Sequence, residues 1–325
     1  MKVGFVGLGK YLPENRLTNK DLEKIVDTSD EWIVARTGIK ERRIAREGEA
    51  TSDMAVNAAR LALKSAKLSA RDIELIIVAT ITPDMFFPST ACIVQEKLGA
   101  PKIPAFDISV ACSGFMYGIA IANQFVKSGT YKHVLVIAAE KMSSVTDWKD
   151  RSTCVLMGDG AGAAVLGKVA DGGILSVYLG ADGTKGNLLK MPAGGSRMPA
   201  SISTVEAGLH YLKMQGNELF RHAVKIMAEA ALKATEPLGL KGEDIDLVIP
   251  HQANLRILHA VAKRMGIDPE KKLYLNINKY GNMSAASSAV ALAEAVEEGR
   301  VKKGDTILLD AFGAGLTWGA IVVKW

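Results

Sequence analysis

Three side chains that lie far apart in the 325-residue sequence could together carry out nucleophilic chemistry. Cys112 stands just before the start of a predicted helix, whose free N–H groups and dipole favour a thiolate, and Gly114 lets a ligand approach the backbone there. His251 ends an apolar strand, where parallel sheets carry catalytic residues. Asn282 supplies a carboxamide, unless it serves only as a helix N-cap. We therefore predict one site that combines a sulfur nucleophile, an imidazole and an amide.

The other cysteines and histidines have no comparable setting. Cys92 and Cys154 lie in apolar runs, and we interpret them as packing residues. An odd number of widely spaced cysteines gives neither a disulfide framework nor a CxxC pair, which favours a reducing cytoplasm. The remaining histidines are expected at the surface: His133, His210, His222 and His259.

An internal repeat indicates which elements position the three side chains. The apolar strand pattern of residues 72–79 recurs at residues 244–251, and each copy follows an Ala-rich helical segment. The helical stretch that Cys112 opens likewise matches the one that Asn282 opens, and each leads into a further strand. We therefore predict two similar α/β halves, residues 1–170 with the cysteine and residues 171–325 with the histidine and asparagine.

The predicted order of strands and helices also gives a geometric expectation. Strands that alternate with helices pair in parallel, and parallel sheets place their working groups beyond the carboxyl ends of the strands. Cys112, His251, Asn282 and residues 313–315 all fall at such ends. If the halves pack about a pseudo-twofold axis, these edges converge at the centre of the molecule.

Composition and charge exclude several classes of protein. Hydrophobic residues make up 48% of the chain and charged residues 23%, as in ordinary globular proteins, so disorder is excluded. The net charge of +5 comes without dense basic blocks, which argues against nucleic-acid binding. Residues 108–126 carry no charge but include several polar side chains, so we predict a buried strand and helix and no membrane span.

The motifs of zinc proteases and α/β-hydrolases are absent, and no metal site is expected.

Two Gly-rich runs resemble phosphate-binding loops only in composition. Residues 4–10 and residues 158–162 both lack the strand, loop and helix order that a phosphate-binding loop requires. We interpret both runs as tight turns within a crowded core.

Four motifs in order along the chain point to a known family. They are residues 110–115 around Cys112, 250–256 around His251, 280–287 around Asn282, and 312–319. Together they resemble the beta-ketoacyl-acyl-carrier-protein synthase III family of the thiolase-like superfamily, and residues 31–39, 150–153 and 158–165 look like further segments of it. The resemblance covers nearly the full length. It implies a thiolase-like fold of two duplicated α/β halves in alternating helix and sheet layers, a homodimer, and Cys112, His251 and Asn282 as the catalytic set.

The resemblance also implies binding residues for two substrates, an acyl-CoA and a malonyl-acyl carrier protein. Trp32 and Arg151 would hold the adenine of coenzyme A between them, with Arg36 near its phosphates. Arg221 and Arg256 resemble the basic positions that dock the acidic carrier protein. Two more basic residues fit that role and an ordinary solvated face equally well: Lys263 and Arg264.

Three residues depart from the pattern of the family. Met283 stands where Thr is common and Ala289 where Pro is common, and both would reshape the packing behind Asn282. Ala314 stands where the family has the middle residue of a Gly triplet. The resemblance implies an oxyanion hole made by the backbone N–H groups of Cys112 and Ala314, and a Cβ at Ala314 is tolerated only at negative φ.

The implied reaction is a decarboxylating Claisen condensation that initiates fatty acid biosynthesis without a metal or an organic redox cofactor. Two alternatives remain open. A papain-like cysteine hydrolase has Cys, His and Asn in the same order, but its local signature is missing here. A non-catalytic acyl-CoA-binding protein would tolerate loss of Cys112. The sequence does not indicate the acyl starter, whose pocket Phe86 and Phe87 would reach, by resemblance, from the neighbouring subunit.

Overall fold

The computed structural model describes the whole chain, Met1–Trp325. Its thirteen strands are β1 Val3–Tyr11, β2 Asn15–Thr18, β3 Glu41–Ile44, β4 Leu75–Ala79, β5 Ala105–Ile108, β6 His133–Lys141, β7 Asp159–Lys168, β8 Gly173–Ala181, β9 Leu189–Lys190, β10 Lys213–Met214, β11 Leu247–Pro250, β12 Thr306–Gly313 and β13 Thr317–Lys324. Its twelve α-helices are α1 Asn19–Leu22, α2 Asp30–Thr37, α3 Thr51–Ala66, α4 Thr90–Leu98, α5 Gly114–Lys127, α6 Arg151–Cys154, α7 Ile202–Glu206, α8 Gly216–Thr235, α9 Leu255–Arg264, α10 Pro269–Lys272, α11 Ile277–Tyr280 and α12 Ala285–Glu297.

Two mixed sheets form the framework. The first has the strand order β1-β7-β6-β4-β5 and the second the order β11-β12-β13-β8. The predicted parallel pairing occurs where a helix connects the strands, as in β4 with β5 and β6 and in β11 with β12. The prediction was incomplete, because β7 lies antiparallel to β6 and β13 antiparallel to β12. Only three residues separate β12 from β13, and so short a connection permits only antiparallel pairing.

Helices and sheets alternate through the molecule. The largest apolar core lies around α5 and α12 and takes side chains from both sheets, so these two helices form the central layer. A second core joins α3 and α4 to the outer face of the first sheet, and a third joins α8 and α9 to the second sheet. The predicted thiolase-like arrangement of alternating helix and sheet layers is confirmed. The five-stranded sheet ends at Lys168 and the four-stranded one begins at Gly173; the division into two domains at residue 170 stays a prediction.

Small residues make the central layer possible. Eleven of the 13 residues of α12 are buried, which suits a helix covered on all sides and explains its Ala-rich sequence. The interpretation of the Gly-rich runs as turns was wrong, since they lie mainly in β1 and β7. A Cβ at Gly9 would stand 2.3 Å from the Ala58 carbonyl oxygen, and one at Gly162 would stand 2.4 Å from the Cβ of Ala289. These glycines therefore let helices pack closely on the sheet.

The uncharged stretch at residues 108–126 forms the end of β5, a 3-10 turn and most of α5, in line with the predicted strand and helix. No helix in the chain has both the length and the apolar character needed to cross a bilayer.

Candidate active site

One cavity of about 870 Å³ brings the three predicted chemical groups together. Cys112, His251 and Asn282 all line it, each from a different segment of the chain. Its lining is predominantly apolar, and it extends to Trp32 and Arg36. The cavity thus connects a thiol, an imidazole and an amide with positions that the sequence predicts for coenzyme A.

Backbone strain and close packing hold Cys112 in place. The residue lies in a 3-10 turn, Ala111–Ser113, in which Ala111 has a positive φ of 46°, and 9% of the Cys112 surface is exposed. A Cβ at Gly313 would lie 2.7 Å from the Cys112 nitrogen, so only glycine lets the end of β12 approach this turn. Gly114 does not line the cavity, and a Cβ there would lie 2.8 Å from that of Ala79 and 3.3 Å from that of Ala285, so this glycine lets α5 pack closely on its neighbours.

Burial of the Cys112 thiol opposes the thiolate that the helix N-terminus favours. Burial is the largest effect and raises its pKa to about 12. The hydroxyl of Ser284 faces both Cys112 and Glu140 and partly offsets this rise, although it makes no well-aligned hydrogen bond to either. Ser284 itself has a φ of 48° and a ψ of −128°, a conformation that costs energy for any residue with a side chain.

His251 enters the cavity directly after β11. Its backbone N–H donates to the carbonyl of Asp310 over 2.7 Å, which continues the pairing of β11 with β12. Only 1% of the residue is exposed, and burial lowers the pKa of its imidazole to about 3. The ring is therefore neutral at pH 7 and has one N–H to donate and one nitrogen that can accept.

Asn282 is fixed through its backbone and through one side of its amide. Its N–H donates to the Leu156 carbonyl over 2.8 Å, and its carbonyl accepts from the Gly158 N–H over 3.0 Å. The side-chain Oδ1 accepts from the backbone N–H of Ser284 over 2.9 Å, while no protein acceptor contacts Nδ2. The simple N-cap interpretation does not describe this residue, because α12 begins three residues later and Nδ2 remains available to a ligand.

The predicted oxyanion donors stand on two adjoining turns. Ala314 lines the cavity beside Cys112 and is not among the residues with positive φ, so its Cβ is tolerated as the sequence analysis required. Thr317 was not predicted from the sequence; its hydroxyl oxygen lies 3.0 Å from the Ala314 carbonyl and 3.1 Å from the Val110 carbonyl. This hydroxyl ties the two turns together and so fixes the spacing of their N–H groups.

Glu140 is a second residue that the sequence analysis missed. It ends the apolar part of β6, has no exposed surface, and binds the 80–82 segment through the Thr80 hydroxyl, the Thr82 hydroxyl and the Ile81 N–H. Burial raises the pKa of its carboxyl to about 7. A lone carboxylate at the end of an apolar strand was the available signal in the sequence.

The predicted coenzyme A residues form a compact group. The guanidinium of Arg36 lies 5.6 Å from the centre of the Trp32 ring, and that of Arg151 lies 4.8 Å from it. Arg151 also donates to the Asp27 carbonyl over 2.8 Å. An aromatic base between Trp32 and Arg151 needs a separation of about 7 Å for two stacking contacts, so the Arg151 side chain must swing aside to admit one.

The predicted carrier-protein residues lie at the cavity mouth. Arg221 and Arg256 are exposed and line it, and the Arg256 guanidinium lies 5.7 Å from the centre of the Phe220 ring. The two other basic candidates, Lys263 and Arg264, are exposed at the end of α9 and do not line the cavity.

The two cysteines assigned to packing differ from one another. Cys154 is buried, as expected. Cys92 is exposed, so that prediction was wrong: it lies in the first turn of α4 on the face turned to solvent, near the Ser89 hydroxyl.

Two of the three departures from the family pattern, Met283 and Ala289, are accommodated by packing. Met283 is fully buried, and its sulfur would lie 2.7 Å from a Cβ at Gly160. Gly160 lies in β7, and so does Gly162, against which Ala289 packs. Behind Asn282, small residues in β7 therefore make room for these side chains on and before α12.

Comparison with known proteins identifies the family. The family model for 3-oxoacyl-[acyl-carrier-protein (ACP)] synthase III matches residues 106–183, and the model for the C-terminal part of this enzyme matches residues 236–325. The chain is 62% identical over 323 residues to a beta-ketoacyl-[acyl-carrier-protein] synthase III from Caldanaerobacter subterraneus. The alignment covers 99% of this chain and 97% of the relative. The chain belongs to the beta-ketoacyl-acyl-carrier-protein synthase III family. It is therefore an acyl-transferring condensing enzyme, and the papain-like hydrolase alternative is excluded.

Solved structures agree with this family membership. The synthase III from Aquifex aeolicus superposes with a TM-score of 0.92 at 52% identity, covering 99% of this chain and 100% of that one. The priming beta-ketosynthase from the R1128 polyketide biosynthetic pathway superposes with the same TM-score at 38% identity, covering 99% of this chain and 96% of that one. The synthase III fold is thus shared by enzymes whose names place them in different biosynthetic roles.

Proposed function

We propose that the chain condenses an acyl-CoA starter with malonyl-acyl carrier protein to give 3-oxoacyl-acyl carrier protein, carbon dioxide and coenzyme A, the step that initiates fatty acid biosynthesis. The observation that carries the proposal is the single cavity shared by Cys112, His251 and Asn282. Its mouth carries arginines suited to the phosphates of coenzyme A and to an acidic carrier protein.

The first half-reaction transfers the acyl group to sulfur. The Cys112 sulfur attacks the thioester carbonyl of the acyl-CoA, a new carbon–sulfur bond forms, and the bond to the coenzyme A sulfur breaks. The proton of the Cys112 thiol leaves with coenzyme A, so the exchange of one thioester for another is balanced without a net charge.

The second half-reaction generates the carbon nucleophile. Loss of carbon dioxide from the malonyl group leaves negative charge on the thioester oxygen, which needs hydrogen-bond donors more than a base. The neutral His251 ring supplies an N–H, and Asn282 supplies Nδ2, the side-chain atom without a protein partner. The resulting enolate carbon attacks the acyl-Cys112 carbonyl.

The backbone N–H groups of Cys112 and Ala314 are the proposed donors to the oxygen of that second carbonyl. Collapse of the tetrahedral intermediate releases the 3-oxoacyl product and leaves Cys112 as a thiolate, which takes up one proton to restore the thiol. The predominantly apolar lining of the cavity supports this sequence, because bulk water would hydrolyse the acyl-enzyme and protonate the enolate. Sulfur, imidazole, amide and backbone N–H groups supply every step, so the proposed mechanism uses no metal or organic redox cofactor.

A homodimer and a cytoplasmic location are further parts of the proposal. Phe86 and Phe87 are 79% and 85% exposed on one loop, next to the half-exposed Met85, and aromatic side chains at this exposure suit a subunit interface. The three cysteines form no disulfide, which is compatible with a reducing compartment. Light scattering of the protein in solution measures the oligomeric state directly.

Intact-mass analysis of the two half-reactions tests the proposed function. Incubation with acetyl-CoA should add one acetyl group that maps to Cys112, and malonyl carrier protein should then discharge it with release of carbon dioxide. Discharge by water alone, or absence of an adduct with any acyl-CoA, would contradict the proposed condensation. Competition among straight, branched and longer acyl-CoA thioesters then identifies the starter and separates fatty acid initiation from a specialised ketide role.

A further inference from the structure

A buried amide directly follows the proposed catalytic histidine. Gln252 has no exposed surface, yet its side chain makes four hydrogen bonds to the backbone. Nε2 donates to the Pro250 carbonyl over 2.9 Å and to the Tyr274 carbonyl over 3.2 Å. Oε1 accepts from the N–H groups of Asn276 and Ile277 over 3.0 and 3.2 Å. Both donors and both lone pairs of the amide are therefore used.

These bonds join the two segments that carry the proposed enolate donors. Pro250 ends β11 immediately before His251, while residues 274–277 lead through α11 to Asn282. The connection continues beyond the amide, because the Asn276 side chain donates to Glu294 on α12 over 2.7 Å. One network thus reaches from the end of β11 to the helix that follows Asn282.

No other polar contact substitutes for this amide. The last backbone hydrogen bond between the two segments is the one that the Tyr274 N–H donates to the Val248 carbonyl inside β11. No backbone hydrogen bond joins residues 251–254 to residues 275–282. Backbone bonds hold His251 to Asp310 and Asn282 to Leu156 and Gly158, but only the Gln252 amide bonds the two segments directly to each other beyond β11.

We propose that Gln252 is a positioning residue that sets the distance between His251 and Asn282, so that both can donate to one enolate oxygen. The inference rests on the proposed function, because it assigns these two donors to malonyl decarboxylation. Cys112 stands on a different segment, held by Gly313 and by the strained turn at Ala111, and does not depend on this amide. Loss of the amide should therefore affect decarboxylation selectively.

Replacement of Gln252 by methionine tests the proposal, because methionine has nearly the same shape and no hydrogen bonds to offer. Misplacing a catalytic group by about 1 Å can cost on the order of 10²-fold, so Gln252→Met should slow malonyl decarboxylation about 10- to 100-fold. Acylation of Cys112 from acetyl-CoA should stay within about threefold of wild type. Thr235→Val is the matched control: it removes a buried side-chain hydrogen bond at the end of α8, away from the cavity, and should slow neither half-reaction.

A double-mutant cycle separates positioning from general destabilisation. In a His251→Ala background one of the two donors is gone, so adding Gln252→Met should slow decarboxylation by less than about threefold more. A general structural defect would instead multiply with His251→Ala at full size, and that result would overturn the proposal. Equal losses of acylation and decarboxylation in Gln252→Met alone would overturn it as well.

A second variant covers the case in which Gln252→Met does not fold. Gln252→Glu keeps the side-chain shape and the acceptors for Asn276 and Ile277, and it disturbs mainly the bonds to Pro250 and Tyr274. It should again slow decarboxylation more than acylation, and an unchanged ratio of the two rates would contradict the inference. Failure of the wild-type protein to acylate or decarboxylate would instead contradict the proposed function, so the two failures are distinguishable.

Discussion

The turn that presents Cys112 and the loops that present His251 and Asn282 face the same cavity but are built differently. Around Cys112 the chain relies on shape: a residue with positive φ at Ala111 and a glycine, Gly313, that admits a neighbouring strand. Around His251 and Asn282 it relies on hydrogen bonds, through the amides of Gln252 and Asn276.

The difference follows from what each region has to do. A sulfur nucleophile must reach a carbonyl carbon, so its position along one line of approach matters most. Two hydrogen-bond donors must meet at one oxygen, and their separation must be held against the motion of two loops. Packing against backbone provides the first kind of precision, and directional hydrogen bonds provide the second. Substitutions in the two regions should therefore separate the two half-reactions.

The largest expected effects come from the three chemical groups themselves. Cys112→Ser should abolish acyl-enzyme formation, because the hydroxyl is a far weaker nucleophile than the thiol. His251→Ala and Asn282→Ala should retain some acylation but lose malonyl decarboxylation by about 10²- to 10³-fold each, the usual cost of removing one donor to an oxyanion. Mass spectrometry of the acyl-enzyme and trapping of labelled carbon dioxide measure the two steps. Equal loss of both steps in all three variants would remove the distinction between the regions.

A smaller effect is expected where shape alone positions the nucleophile. Gly313→Ala would place a Cβ 2.7 Å from the Cys112 nitrogen, so the turn must move. Overpacking of this kind costs about 1–3 kcal/mol of stability, and the displaced thiol should acylate about 10- to 100-fold more slowly. Stopped-flow acylation together with thermal unfolding gives both values.

Gly183→Ala is the matched control for that change, because a Cβ there meets no atom within 4 Å and the backbone φ is not positive. It should leave the acylation rate and the melting temperature close to wild type. Normal acylation in Gly313→Ala would show that the Cys112 turn tolerates displacement, and the contrast with the donor loops would then be unfounded.

Sequence patterns were sufficient for the elements and for the chemical groups. Repeated apolar strands and Ala-rich helices predicted α3, β4, α8 and β11, and strand ends predicted the location of His251 because those signals are local. The antiparallel pairing of β7 and β13 was missed, since pairing partners are chosen by tertiary packing.

The supporting residues were less accessible from sequence. Gln252 and Thr317 act through backbone groups up to 207 residues away, and nothing local distinguishes them from ordinary polar residues. The protonation states of Cys112 and His251 depend on burial, which the helix-terminus argument did not include. The sequence therefore did not predict the contacts between distant residues or the burial of the ionisable side chains. The contacts set the geometry of the site, and the burial sets its charges.

The pH dependence of stability tests whether the buried carboxylate of Glu140, near Cys112, destabilises the folded protein. Burial raises the pKa of the Glu140 carboxyl from the ordinary value of 4.5 to about 7 in the folded protein. Wild-type stability should therefore fall as pH rises from about 4.5 to 7, because the folded state holds a proton that the unfolded state releases, and should level off above that range. Glu140→Gln does not titrate, so its stability relative to wild type should rise between pH 5 and pH 8 by up to about 3 kcal/mol.

Urea unfolding at the two pH values measures that change. Glu47→Gln, at an exposed position, should keep a constant difference from wild type at both pH values. A constant difference for Glu140→Gln too would mean that its contacts with Thr80, Ile81 and Thr82 already compensate the buried charge.

The smallest effect is expected at the cavity mouth, on the side of the donor loops. Arg256 lies in the first turn of α9. The Asn254 side chain caps that helix and also donates to the Arg36 carbonyl over 3.0 Å. Arg256→Glu should weaken the binding of malonyl carrier protein about tenfold at low salt, and the difference should shrink as ionic strength rises, because the Debye length falls to about 8 Å at 0.15 M. Acylation from acetyl-CoA should be unaffected. Lys127→Glu makes the same change of charge at an exposed position outside the cavity and should change neither binding nor its salt dependence. If the two variants bind the carrier equally well, Arg256 plays no part in docking. The part of the cavity mouth next to His251 would then not bind the carrier protein.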